Sequence, residues 1–430
     1  MNCHLQIFLD GRWQVAAIFE PDPQSITRGV AGSARLQYEI DYAMAHLGRR
    51  DAELIPGLTV GFELFRFDQW PPFLLDLMPS GAGRRAWLRR LQVDKDGPHA
   101  DWHLLTKGAG APPGSLRVAE AAPLPPRDHF KIGFPRQDII EQREGFLDYA
   151  EERGAHVAGA SSVQGEAPKY LLAEDLFGMF HAEGALTDEQ SKRFWLVKFP
   201  RGRRADSRNQ QVLRNEPFYL EVARRFGIRV GDPLIHDQGV LFVPRFDREV
   251  IDGRVTRLAM HSLYALAGIP GYGTVVRHDT FCQALAKAVT EPAGEIREYL
   301  RRDMLNLALR NTDNHGRNSA VLRSKGRIQL SPLFDFAPMF LDPEGIGRVT
   351  RWEDESPGNQ PEWGKVCEKL ANFLDPGETR VWLAGHGNAV RKLPETMADC
   401  GVDSEIIQRL APWTEAVAKG LEEAKPRITL

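Results

Sequence analysis

The sequence predicts an α+β protein in three parts: an N-terminal α+β subdomain over residues 1–128, a small antiparallel-sheet lobe over 129–250, and a mostly helical lobe over 251–430. Three observations lead there. A chain of 430 residues is too long for one small core, so two or three domains are expected. The tract AEAAPLPPRDH at 119–129 is proline-rich, which disfavours regular structure and marks a boundary. Beyond it, short extended runs give way near residue 258 to runs with the i, i+3/i+4, i+7 spacing of helices.

Within the first part, LQIFLDGRWQVAAIFE at 5–20 reads as two strands joined at Asp10-Gly11, a hairpin signal. The run GRRAWLRRL at 83–91 reads as a helix, and residues 1–118 carry no compact polar constellation of catalytic type. In the second part, KYLLA (169–173) and RFWLVKFP (193–200) read as strands separated by an insert. PFYLEVARRFG (217–227) reads as a helix that stops at Gly227, with Pro217 in its first turn and Asn215 near its N-cap. IRVGDPLIH, the turn DQG at 237–239 and VLFVPRF complete a β-β-α-β-β order. In the third part, Ile296, Tyr299, Leu300, Met304, Leu307 and Ala308 mark a helix with Asp303 as its one polar interruption. That helix leads into RNTDNHGRNSAVL (310–322). A hairpin follows over 319–330, turning at SKG, and then SPLFDFAP, with helices broken by Gly and Pro to the end.

The hydrophobic share of 42 % supports ordinary globular cores. A formal net charge of −3 argues against a protein built mainly to coat nucleic acid, while leaving room for a local basic patch. Cys3, Cys282, Cys367 and Cys400 are scattered without CxxC spacing and fit reduced thiols rather than a disulfide or zinc framework. The opening MNCHLQIFLDGRWQV lacks a long apolar core, and no stretch of roughly 18 apolar residues occurs, so a cytoplasmic protein without a membrane span is expected.

Phosphoryl transfer from ATP needs a lysine on the phosphates, Mg²⁺ held by a carboxylate and an amide oxygen, and a carboxylate that takes the acceptor's hydroxyl proton. In protein kinases the base and the amide ligand lie on one loop as D-x-x-x-x-N, and a hairpin then delivers the metal-binding Asp. Asp313 and Asn318 have that spacing; the hairpin follows, and Asp335 stands in FDF with Ala337 where kinases carry glycine. Upstream, Lys198 sits on a strand in WLVKFP, and Glu216 at the next helix is placed to pair with it. Each piece has a bland reading: strand lysines usually point to water, Glu216 suits a helix N-terminus, and His315 alone would be a packing histidine. The order Lys, Glu, Asp-x₄-Asn, hairpin, Asp is what points to chemistry.

The motifs resemble the HipA-type serine/threonine-protein kinase toxins. NTDNHGRN is similar to that family's N-x-D-x-H-x-x-N catalytic loop, and LSPLFDFAP to its L-x-P-x-Y-D metal motif, with Phe334 in place of tyrosine. VPRFDR resembles the segment between the lobes, NEPFYLEVARRFGI the family's helix, SVQGEAPKYLL its phosphate loop, and FDQWPPFLLDLMPSGAGRRAWLRRL part of its N-terminal domain. The resemblance implies a protein-kinase-like bilobal fold that uses ATP and Mg²⁺. It implies Asp313 as catalytic base, Asn318 and Asp335 as Mg²⁺ ligands, and Lys198 as the phosphate lysine. It also implies a loop from Gln164 and Gly165 to Lys169 over the phosphates, His315 near the nucleotide, Pro244, Arg245 and Phe246 beside adenine, and Ser162 as an autophosphorylation site. It implies a protein substrate in translation, such as an aminoacyl-tRNA synthetase, and a helix-turn-helix antitoxin through which alone DNA would be met. Glu166, Pro168, Pro244 and Ala337 depart from the family pattern, as does MHSLYALAGIPGYGT. Two other readings stay open at this level: a catalytically weak, nucleotide-binding regulator of kinase shape, and a metal-dependent nuclease or phosphodiesterase in which Asp, Asn and His activate water.

Overall fold

Alternating apolar residues build the N-terminal sheet. Strands β1 (Cys3–Leu9) and β2 (Arg12–Pro21) meet at Asp10 and Gly11, whose φ of 53° and 78° make the two-residue turn expected there. With β3 (Ala34–Tyr38), β4 (Leu64–Phe67) and β5 (Leu116–Val118) they form a sheet of order β4-β3-β2-β1-β5. Helices α1 (Ile40–His46), α2 (Phe73–Leu77), α3 (Gly81–Arg90) and α4 (Asp101–Gly108) accompany it. Leu5, Ile7, Phe19 and Leu36 of the strands pack with Trp70, Leu74 and Leu104 in one buried cluster. In this computed structural model, residues 1–122, 133–152, 168–200, 207–271, 273–355 and 360–425 are described. The tract expected as a linker at 119–129 opens with a single helical turn at Ala119–Ala121; residues 123–129 fall outside the described residues.

The small lobe contains α5 (Arg136–Ile140), α6 (Glu144–Glu152), β6 (Lys169–Asp175), β7 (Phe180–Ala182), β8 (Ser191–Lys198), α7 (Ser207–Arg225), β9 (Ile235–Asp237) and β10 (Val240–Pro244). Its sheet runs β7-β6-β8-β10-β9, with every pairing antiparallel. The insert between the first two expected strands therefore holds a further strand, β7, because Phe180 and Ala182 are buried in the lobe's core beside Trp195 and Phe242. Helix α7 corrects a second expectation. It starts at Ser207, so Pro217 lies inside it rather than in its first turn, and Glu216 is mid-helix. Leu213 and Asn215 in that earlier stretch are buried, with Asn215 bonded to Asp403, and this anchoring outweighs the one backbone bond that proline removes. The stop is as read: Gly227 has φ 83°, and Ile228 N–H donates to Ala223 O at 3.0 Å.

The third part begins with a hairpin, β11 (Arg248–Ile251) and β12 (Arg254–Arg257), which crosses the expected boundary at 250. Val255 packs with Ala173 and Phe194 of the small sheet. Then come β13 (Ala259–Ser262), α8 (Leu263–Leu266), β14 (Val276–Arg277), α9 (His278–Ala288), α10 (Pro292–Ala308), β15 (Ala320–Ser324), β16 (Arg327–Leu330) and β17 (Thr350–Arg351). Helices α11 (Trp363–Lys369), α12 (Pro376–Gly385), α13 (Gly387–Arg391), α14 (Leu393–Cys400) and α15 (Ser404–Glu422) follow. The apolar face of α10 (Ile296, Leu300, Met304) packs with Leu383, Val390, Leu410, Val417 and Leu421. Among the described residues no helix is long and apolar enough to cross a membrane.

Polar contacts join the N-terminal part to both others. Arg323 on β15 donates to Arg50 O (2.9 Å) and Glu53 O (3.1 Å). Gly114 N–H donates to Asp247 Oδ2 at 2.7 Å, inside a buried network that also holds Arg245, Arg248 and Glu183.

Candidate active site

Helix α10 ends at Ala308, and Arg310 at φ 51° turns the chain into the polar loop. The loop closes on itself. Asn318 Nδ2 donates to Asp313 O at 2.9 Å, and Asn318 N–H donates to His315 O at 2.9 Å. The D-x-x-x-x-N spacing is thus the span of one hydrogen-bonded turn. Arg317 N–H meets His315 Nδ1 at 3.2 Å, so Nδ1 accepts and the imidazole proton belongs on Nε2, which stands 3.4 Å from Asp313 Oδ1. Gly316 lets the loop lie flat on α8 and α9: a Cβ there would sit 2.6 Å from Phe281 Cζ and from Tyr264 Cδ1. Leu263 N–H is shared between Gly316 O and Ser319 O, both at 2.9 Å. Burial pushes the Asp313 carboxyl above its ordinary range, with His315 pulling back and the Asp335 charge adding to the rise. Burial holds His315 neutral below its ordinary range, against the opposing charge of Asp313.

Four charged groups meet opposite this loop. Strand β8 carries Lys198, α7 carries Glu216, and the chain leaving β16 brings Asp335 at φ 53°. Lys198 Nζ lies 2.7 Å from Glu216 Oε1 and 2.6 Å from Asp335 Oδ1. Lys169 pairs directly with Lys198 across β6 and β8, and its Nζ is 3.5 Å from Asp335 Oδ2. Lys198 and Glu216 are buried, whereas the Asp335 side chain keeps 23 % exposure and forms the open edge of the cluster. Burial disfavours the Lys198 ammonium, but Asp335 and Glu216 outweigh it and hold the lysine charged. For Asp335, burial is outweighed by Lys169 and Lys198, which hold its carboxyl below the usual range. Phe336, fully buried with its ring 5.6 Å from that of Tyr219, fixes the backbone next to Asp335 against α7.

A divalent ion would find two oxygen donors here. Asn318 Oδ1 is buried and has no hydrogen-bond partner, while its Nδ2 is already used. Asp335 supplies the carboxylate. Among the described residues no group of three or more His, Cys, Asp or Glu could cage a metal. One amide and one carboxylate suit Mg²⁺, which keeps waters and phosphate oxygens in its shell.

Of the expected site residues, the structure brings Asp313, His315, Asn318, Lys169, Lys198, Glu216 and Asp335 to one region. Pro244 ends β10 opposite Trp195, and Phe246 packs its ring 5.7 Å from Phe334. Arg245 lies between them: its backbone N–H donates to Phe194 O, and its side chain turns into the buried network, 2.6 Å from Asp247 Oδ2 and paired with Glu183. Ser162, Gln164, Gly165 and Glu166 lie outside the described residues. Two contributors were not foreseen. Asn314 clamps the segment at β17, its Nδ2 donating to Thr350 O at 2.7 Å and its Oδ1 accepting from Val349 and Thr350 N–H. Asp76 of α2 reaches Arg317 of the polar loop; the only hint in the sequence is a lone carboxylate inside the apolar run FLLDLM.

Comparison with known proteins places this geometry. The family of HipA-like C-terminal domains matches residues 161–393. The chain is 24 % identical over 421 residues to "Putative kinase Y4mE" of Sinorhizobium fredii, covering 89 % of this chain and 93 % of that protein. Its fold is similar, with a TM-score of 0.65 and 17 % identity, to HipA of Shewanella oneidensis MR-1, solved as a complex with HipB and operator DNA; 98 % of this chain and 97 % of that one are covered. The matched domain takes in more than half of the chain, including Lys169, Lys198, Glu216, Asp313 and Asp335, and the chain belongs to the HipA-like C-terminal domain family.

Proposed function

We propose that this protein is a Mg·ATP-dependent serine/threonine protein kinase of protein-kinase-like bilobal design. The observation that carries the reading is the Lys198 ammonium held between Glu216 (2.7 Å) and Asp335 (2.6 Å), with Asp313 on the facing loop. Lys198 and Lys169 bind phosphate oxygens, and Pro244 and Phe246 border the adenine. Asn318 and Asp335 hold Mg²⁺, which when bound neutralises phosphate charge. Asp313 takes the proton of the acceptor hydroxyl as its oxygen bonds to the γ-phosphorus; the bond from that phosphorus to the bridging oxygen breaks, and ADP leaves. The family supports a toxin acting on translation, with an aminoacyl-tRNA synthetase as substrate class and a cytoplasmic site of action. The HipB and operator DNA bound to the Shewanella relative support a helix-turn-helix antitoxin as partner, with DNA met only through it. Autophosphorylation at Ser162 is part of the same reading: a phosphate there adds about −1.5 to −2 charge to the segment that precedes Lys169 in the sequence and would compete with ATP.

The test is incubation with Mg²⁺ and γ-labelled ATP, with and without cell extract. Label on protein hydroxyls supports the kinase. ATP binding without transfer selects a nucleotide-binding regulator, and cleavage of nucleic acid without ATP selects a phosphodiesterase.

A further inference from the structure

The N-terminal subdomain places one carboxylate against the catalytic loop. Asp76 on α2 accepts Ser262 N–H at Oδ2 (2.9 Å) and Ser262 Oγ–H at Oδ1 (2.8 Å). Its Oδ1 also stands 3.7 Å from Arg317 Nη1. Ser262 is the N-cap of α8, its Oγ accepting Ala265 N–H at 3.1 Å, so the hydroxyl proton is free to go to Asp76. The next residue, Leu263, gives its N–H to Gly316 O and Ser319 O. Arg317, with a side chain only 2 % exposed, donates from Nη2 to Gly271 O at 3.2 Å and from its backbone to His315. Two donors therefore converge on Asp76, an amide and a hydroxyl, and the Arg317 guanidinium faces it as an ion pair at 3.7 Å. A carboxylate accepts from both donors and supplies the opposite charge. An asparagine would have to turn its NH₂ toward one of them and would leave a buried arginine without its anion.

We propose that Asp76 is a positioning residue for phosphate transfer. Through Ser262 and Arg317 it holds residues 315–319 where Asp313 can meet the acceptor hydroxyl, so the N-terminal subdomain sets the turnover of a site to which it contributes no reacting group. This rests on the kinase reading above. A shift of about 1 Å at reacting groups costs up to roughly 10²-fold in rate, so a lost anchor is visible in kcat.

The test compares Asp76→Asn with Arg323→Met. The second breaks two other hydrogen bonds between the same parts of the molecule and does not touch the loop. Asp76→Asn is expected to lower kcat on the order of 10- to 100-fold with the ATP KM within about twofold, and to speed amide exchange at 315–319. Arg323→Met is expected to lower the melting temperature and leave the kcat of the folded enzyme unchanged. An unaltered kcat in Asp76→Asn, or an equal fall in Arg323→Met, overturns the proposal. If Asp76→Asn does not fold, Ser262→Ala keeps the Asp76–Arg317 pair and removes the hydroxyl link; an unchanged kcat there also overturns it. A wild-type protein that transfers no phosphate defeats the kinase reading alone. Exchange at 315–319 then decides: faster in Asp76→Asn than in Arg323→Met supports the link, and equal rates remove it.

Discussion

Asp313 and Asp335 are both aspartates of one site, and their surroundings push them in opposite directions. Asp313 is raised by burial, the tuning a general base needs, while Asp335 is held ionised by Lys169 and Lys198. Asp313→Asn is expected to lower transfer by about 10² to 10⁴-fold and to leave ATP affinity unchanged by calorimetry. The base must be ionised to act, so wild-type activity falls as pH drops through its raised pKa. The acid limb of the pH–rate profile is expected above about 4, the ordinary aspartate value, and a limb below it removes Asp313 from the role. Asp335→Ala strips the counterion from two lysines and one of two oxygen donors from the metal position. It should weaken Mg·ATP binding far more than adenosine binding. Equal losses in titrations of both would place the metal and phosphates elsewhere.

Among the elements, the polar loop after α10 was legible because its residues are contiguous: Asp313, His315 and Asn318 are near neighbours in sequence, and a single turn joins them. Lys198 and Asp335 were legible through the strand and hairpin that carry them. What escaped depends on packing between elements. Proline favours a first turn, yet Pro217 sits inside α7 because Leu213 and Asn215, which precede it, are buried. Arg245 stands in the segment expected at adenine, but its side chain pairs with Asp247, two residues on, and with Glu183 just after β7, contacts no local pattern announces. Asp76 had only its place as a lone carboxylate in the apolar run FLLDLM to mark it, since its partners Ser262 and Arg317 are remote in sequence. The loop's dependence on its platform gives a prediction at this scale. Gly316→Ala puts a Cβ 2.6 Å from the rings of Phe281 and Tyr264, both buried in the core and unable to swing aside. The loop must lift, at a cost of about 1–3 kcal/mol typical of overpacking. A drop in the urea midpoint together with a fall in kcat is expected; retention of both would show that the rings yield.

At the scale of the whole molecule, the described residues form four hydrophobic clusters, and the histidines buried among the packed elements set how stability responds to acid. His261 on β13 is buried and its pKa is lowered to about 3 by burial, with Arg323 adding to the effect. His278 on α9 is lowered to about 4, again by burial first, with Asp303 opposing and Arg348 reinforcing. Both titrate near 6.5 in the unfolded chain. The folded state favours the neutral ring, so this stability is complete above pH 6.5 and is lost as pH falls from 6.5 toward the folded values. At pH 5 each histidine accounts for about 2 kcal/mol of that loss. The ion-paired carboxyls Asp247 and Asp335 are lowered, so their contribution goes only below about 4 and does not enter this window. Asp76 and Asp313 are raised and act with the opposite sign, relieving strain as they take up protons. The comparison is therefore made between two proteins. His261→Leu replaces a buried ring whose Nε2 has no hydrogen-bond partner by an apolar side chain that cannot titrate. Its loss of stability between pH 7.5 and pH 5, from urea midpoints, should be smaller than that of the wild type by about 2 kcal/mol. Equal losses in the two proteins would mean that His261 is protonated in the folded state and that β13 opens to water.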